Sequence, residues 1–208
     1  MQISDFYEFG SKLVMTTVQA HPVGLKSGGE YEDIGDSIRL IMGEFDAIYF
    51  PVTFKQEYGD KFRDVLDTGH PGLYLISDHM QVLLKKNNLT GWKTFPIRLL
   101  DKKGNIIEGY QGLSVIGKCG PIDISKSEII KKRIVPNGPL YPYFKGIYVG
   151  LDEWDGSDFF IPKYHYGPMI TAKGAEVIKS NKLTNIRLIN LADIEINEMT
   201  AELIRSKG

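Results

Sequence analysis

The stretch ISDHMQVLLKKNNLTGWKTFPI, residues 76–97, decides the fold, because the chain uses it again as ITAKGAEVIKSNKLTNIRLINL, residues 170–191. Laid over each other without a gap, 94 residues apart (76 and 170), the two share Ile76/Ile170, Lys85/Lys179, Asn87/Asn181, Leu89/Leu183 and Thr90/Thr184. Ser77/Thr171, Leu83/Val177, Leu84/Ile178, Lys93/Arg187 and Ile97/Leu191 are chemically alike. In the first copy Met80, Leu83, Leu84 and Asn87 recur at the spacing of one helix face. Ser77 suits a side-chain cap and Asp78 the first turn, where backbone N–H groups lack partners. Lys85, Lys86 and the Asn87-Asn88 pair stand where helices stop. The identities are few, and any two helix–strand units share some. The agreement of cap, helix face and stop at one register is what marks a strand–helix–strand module used twice. Two copies at so long a period do not make a solenoid.

Outward from this unit, residues 73–77 read as a buried strand, 78–88 as a helix and 92–100 as a strand. Asp101-Lys102-Lys103-Gly104 reads as a hairpin turn, with 105–118 as the returning strand, bent at Gly109 and Gly112. Upstream, 37–42 and 47–54 are rich in β-branched and aromatic residues and read as strands, the second at an edge or bulge because of Pro51. Residues 59–67 read as a short helix or turn, and the first thirty-five as irregular, with a loop at 24–30 and a short strand at 12–18. Residues 145–150 read as a strand. The fold class that follows is α+β: a mixed or antiparallel sheet with a few short helices on one face. It forms either one domain over 1–208 or two similar lobes, about 1–118 and 119–208.

Bulk properties narrow the function classes. The 208 residues are 42% hydrophobic and 25% charged, with a net charge of −1, so no global field favours nucleic acid or an anionic membrane. The one cysteine, Cys119, cannot form an intrachain disulfide, which fits a reducing compartment. Met1-Gln2-Ile3-Ser4-Asp5-Phe6 shows no basic and apolar leader, and no apolar run is long enough to span a bilayer; the expected location is cytoplasmic. No dinucleotide, Walker A, zincin or nucleophile-elbow motif is present, and no cofactor or metal is expected.

Four stretches are candidates for chemistry or contact. Lys118-Cys119-Gly120 offers a thiol beside a cation, but no base is evident; a small residue at a strand end is the competing reading. Asp152, Glu153, Trp154, Asp155 and Asp158 place four carboxylates beside a large aromatic. They suit recognition of a basic protein partner, while Asp155-Gly156 also reads as a plain tight turn. A third reading joins Asp155 and Asp158 to His165 as an acid–base, small-molecule or metal site. The basic run 126–133 reads as a solvated helix or loop face, and 140–144 as either a binding surface or a core edge.

Trp154-Asp155-Gly156-Ser157-Asp158-Phe159-Phe160, followed by Ile170-Thr171 and Leu183-Thr184-Asn185, resembles bacterial immunity proteins of polymorphic-toxin loci. These read Trp-x-Gly-Ser-Asp-(aromatic or aliphatic), then a strand, then a helix ending in Leu-Thr-Asn. The resemblance covers roughly the last sixty residues, with the 76–97 unit as a fainter second instance. It implies an antidote that binds a cognate toxin and blocks it by contact, without catalysis, and it carries over no catalytic residue.

Overall fold

The computed structural model describes residues 2–12, 14–26, 35–165 and 167–206. In chain order they form β1 (Phe6–Ser11), β2 (Gln19–Pro22), α1 (Asp36–Met42), β3 (Val52–Tyr58), β4 (Val65–Asp67), β5 (Tyr74–Ser77), α2 (Asp78–Lys86), β6 (Trp92–Phe95), β7 (Ile97–Leu100) and β8 (Ile106–Ile107). There follow β9 (Tyr110–Val115), β10 (Gly117–Cys119), β11 (Glu128–Arg133), β12 (Leu140–Lys145), β13 (Phe159–Pro162), β14 (Met169–Thr171), α3 (Ala172–Ser180), β15 (Ile186–Asn190), β16 (Glu195–Asn197) and α4 (Glu198–Arg205). The fold is α+β with mixed sheets.

The repeated unit is built the same way twice, down to individual hydrogen bonds. Ser77 Oγ accepts from Met80 N–H at the start of α2, and Thr171 Oγ1 accepts from Gly174 N–H at the start of α3. At the far ends Asn87 Nδ2 donates to Leu83 O and Asn181 Nδ2 to Val177 O, each at 2.8 Å. Asn88 and Lys182 then turn left-handed at φ 49° and 53°. Leu89 N–H reaches back to Leu84 O, and Leu183 N–H to Ile178 O, and both leucines are buried. Orphan carbonyls and a closing apolar contact are thus settled together at each stop.

Strand pairing interlocks the copies. β5 and β6 of the first copy both pair antiparallel with β9, with Leu75 and Phe95 opposite Gly112. β14 and β15 of the second copy both pair antiparallel with β1, with Met169 and Ile189 opposite Glu8. Beyond β4 lies β2, parallel to it, and beyond β13 lies β10, parallel to it. The lead-in β1–β2 therefore passes from the second copy's sheet to the first's, and β9–β10 passes the other way. The sheets are β10-β13-β14-β1-β15 and β6-β9-β5-β4-β2-β3-β7-β8, with a smaller β11-β12-β16. A cut at residue 118 would separate β1 from both its partners.

Phe159 and Phe160 show how the five-stranded sheet divides the interior, since alternate residues of a strand face opposite ways. Phe159 belongs to the larger core with Phe9, Leu75, Ile76 and Ile170, while Phe160 belongs to a second core with Phe6, Met169, Phe144 and Leu191.

Several expectations are corrected. Residues 37–42 are helical: α1 turns Leu40 and Ile41 inward, and Ser114 Oγ of β9 hydrogen-bonds Leu40 O. Its β-branched residues are overridden by packing on the sheet. The first thirty-five residues hold β1 and β2, and 59–67 ends in β4. Around Leu13, which lies outside the described residues, the strand expected at 12–18 is absent: Thr17 makes only an isolated bridge to Lys61. Past Lys26 the loop expected at 24–30 lies outside the described residues. The 47–54 strand begins only at Val52. Residues 92–100 break at Pro96, which has no N–H to donate, and 105–118 is three strands, of which only β8 pairs with β7. Within the run expected as a solvated helix or loop face, Glu128–Arg133 forms strand β11, and the strand expected at 145–150 instead ends at Lys145.

Candidate functional site

Asp158, one of the five recognition candidates, is 6% exposed and is a fold residue. Its Oδ2 accepts from Thr90 N–H, Thr90 Oγ1 and Lys173 Nζ, and its Oδ1 from Thr171 Oγ1 at 3.0 Å. Asp158 N–H in turn donates to Thr90 Oγ1. Asp64, 94 residues earlier (64 and 158), makes the mirrored set. Its Oδ2 accepts from Thr184 N–H at 2.8 Å and Thr184 Oγ1 at 2.6 Å, its Oδ1 from Ser77 Oγ, and its N–H donates to Thr184 Oγ1. Each aspartate thus binds the cap residue of its own helix and the threonine that follows the other copy's helix. Burial would push the Asp64 carboxyl up, but the Thr184, His79 and Ser77 hydrogen bonds outweigh it and hold the group below its ordinary 3.8. The next residues continue the clasp. Asn185 Nδ2 donates to Val65 O, and the matched Gly91, at φ 80°, lies so close to Phe159 O that a Cβ would stand 2.0 Å away. Sequence reasoning missed Asp64. The signal was there, since Asp64-Val65-Leu66 aligns with Asp158-Phe159-Phe160 at the repeat's own offset.

The remaining recognition candidates split by exposure. Asp152, Glu153 and Asp155 are exposed. Asp155 also caps its surroundings: Oδ2 accepts from Lys118 N–H and Oδ1 from Ser157 N–H, around a turn at Gly156. Trp154 faces inward, edge-on to Phe6 at 5.4 Å between centroids and tilted on Phe160, with Nε1–H donated to Ser157 O.

The alternative set of Asp155, Asp158 and His165 is not joined by any of these bonds. Both carboxylates serve the partners named above, whereas His165 lines a cleft with Glu8, Tyr74 and Arg187. There its Nδ1 accepts from Gly167 N–H at 2.9 Å. Cys119 is buried; burial, with Asp155 and Glu153 nearby, pushes its thiol up to about 12, the opposite of an activated nucleophile. Among the described residues no group of three or more His, Cys, Asp or Glu side chains is placed to hold a metal, and no helix is long and apolar enough to cross a membrane.

A surface that sequence reasoning read as solvated stands out instead. Among the described residues β11 is an edge strand, paired only with β12. On the β11–β12 hairpin Ile129, Ile134, Val135 and Leu140 are 51–66% exposed, and Tyr141 is exposed beside them. Lys131 and Arg133 share the strand face of Ile129 and Leu140, whereas Lys132 lies on the other face and pairs with Glu195. The 140–144 stretch divides: Leu140 and Tyr141 face solvent, and Phe144 is buried in the second core with Arg205 over its ring. No protein-family model matches the chain, and no curated protein matches it.

Proposed function

We propose that this chain is a protein-binding antidote that acts in the cytoplasm and neutralises a bacterial toxin by contact, with no catalytic step. The β11–β12 hairpin supports this reading. An edge strand with a run of exposed aliphatic side chains is a surface that monomeric proteins usually cover or blunt with charge. Here Ile129 and Leu140 share a face of the hairpin with Lys131 and Arg133, a combination suited to a partner with an apolar centre and an acidic rim. The toxin as the kind of partner rests on the resemblance of residues 154–160 and 183–185 to immunity proteins. Asp152, Glu153 and Asp155 remain as a second, acidic contact patch. Co-expression with the protein encoded beside it, in cells which that protein kills, tests the proposal. Protection together with co-purification is expected, and killing with no complex overturns it.

A further inference from the structure

The two copies differ on one face of their sheets, and the difference opens a cleft. Strand register places Glu8 where the first copy has Gly112, Gly10 where it has Ser114, and Arg187 where it has Lys93. In the first copy this face is closed. The Phe95 ring fills the space over Gly112, where a Cβ would stand 2.0 Å from it. Ser114 is tied to Leu40 O of α1, and Lys93 Nζ donates to Gly43 O at 2.7 Å while lying 4.0 Å over the Phe45 ring.

In the second copy Glu8 and Arg187 line an open cleft of about 420 Å³, within the range of small-molecule sites. Arg187 Nη2 pairs with Glu8 Oε1, with side chains 48% and 29% exposed. Gly10 leaves room for this: a Cβ there would stand 3.2 Å from Arg187 Nη2 and 3.4 Å from the Tyr74 hydroxyl. Glu8 Oε2 and Arg187 Nη1 make no other side-chain bond among the described residues. The remaining walls combine apolar groups, Phe9, Ile122, Pro168, Leu203 and Ile204 among them, with the polar Lys163, His165 and Thr200.

We propose that this cleft binds a free α-amino acid with a bulky apolar side chain, its carboxylate on Arg187, its ammonium on Glu8 and its side chain against the apolar walls. A wall that presents both charges side by side suits a zwitterion better than either ion. A lone carboxylate would meet Glu8, and a lone amine would meet Arg187, each with a like charge at contact range. The proposal does not depend on the toxin reading, and either can fail without the other.

Isothermal titration of the whole chain with L-phenylalanine and L-leucine tests it, with phenylacetate and phenethylamine as single-charge probes. Saturable binding of at least one amino acid is expected at about millimolar affinity or tighter, with both single-charge probes at least about tenfold weaker. Glu8→Gln and Arg187→Gln should each weaken the amino acid about tenfold or more, judged on variants whose melting is unchanged. Leu203→Trp, at a position 57% exposed and so tolerant of change, should block the cleft. Saturable binding of neither amino acid, phenylacetate binding as tightly as L-phenylalanine, or affinity untouched by all three substitutions overturns the proposal.

Discussion

Asp64 and Asp158 each hold a helix cap of their own copy and a threonine of the other, so each single carboxylate ties two copies together. Asp64→Ala and Asp158→Ala should each cost about 2–4 kcal/mol, because partners built around a carboxylate would be left unsatisfied in a largely closed setting. Urea unfolding reads this directly, and a loss under about 0.5 kcal/mol would show the clasp to be incidental. Asp64 also sets an acid limit. Its folded carboxyl titrates below its ordinary 3.8, so its stabilisation is fully present above that value and is lost as pH falls through the lower, folded value. Asp64→Asn should therefore be less stable than the parent near neutrality and lose less on going below about pH 4. Equal slopes in thermal melts across that range would contradict the assignment. Gly91→Ala should be more damaging than an ordinary surface change, since the added methyl meets the Phe159 carbonyl and the backbone is left-handed. At this scale the sequence showed Ser77, Thr171, Asn87 and Asn181 in their roles, because caps and stops are local signals. It hid the meaning of Thr90 and Thr184, whose partners lie 68 and 120 residues away.

At the scale of elements, α2, α3 and β5 were legible because their periodicity and caps act within a single turn. α1 was not, since Ser37-Ile38-Arg39-Leu40-Ile41-Met42 carries strand-like composition and becomes helical through burial against β9. β11 was not either: Glu128-Ile129-Ile130-Lys131-Lys132-Arg133 has no clean alternation, because an edge hairpin leaves most of its side chains in solvent. That exposure is what makes the hairpin a contact surface in the proposed function. Ile129→Asp and Leu140→Asp should shift stability by no more than about 0.5 kcal/mol. The same changes should weaken the complex with the cognate toxin by about thirtyfold, as expected for central apolar contacts. Unchanged affinity by titration would move the interface elsewhere, with the exposed Asp152, Glu153 and Asp155 as the next surface to substitute.

For the whole molecule, the duplicated module was readable and its assembly was not. Nothing in residues 6–11 announces that they complete the sheet of residues 169–190, because strand partnership over such distance is fixed by tertiary packing. Of the recognition candidates, the structure turns Trp154 and Asp158 inward and leaves Asp152, Glu153 and Asp155 outside. A sequence motif does not separate a carboxylate that clasps from one that contacts. The crossing of β1–β2 and β9–β10 between sheets means that the second copy's sheet is completed by β1 and β10 from the earlier part of the chain, while the eight-stranded sheet lies wholly within residues 19–115. The two should then unfold as one cooperative unit. The two tryptophans report on it separately, Trp92 in β6 of the first copy and Trp154 against the second core. The most direct test is equilibrium urea unfolding of Trp154→Phe and Trp92→Phe, each followed by its remaining tryptophan, with and without Asp64→Ala. Coincident transitions that Asp64→Ala shifts by the same free energy at both probes are the expected result. Two separated transitions, or a shift confined to the Trp92 signal, would contradict the interlocked duplication.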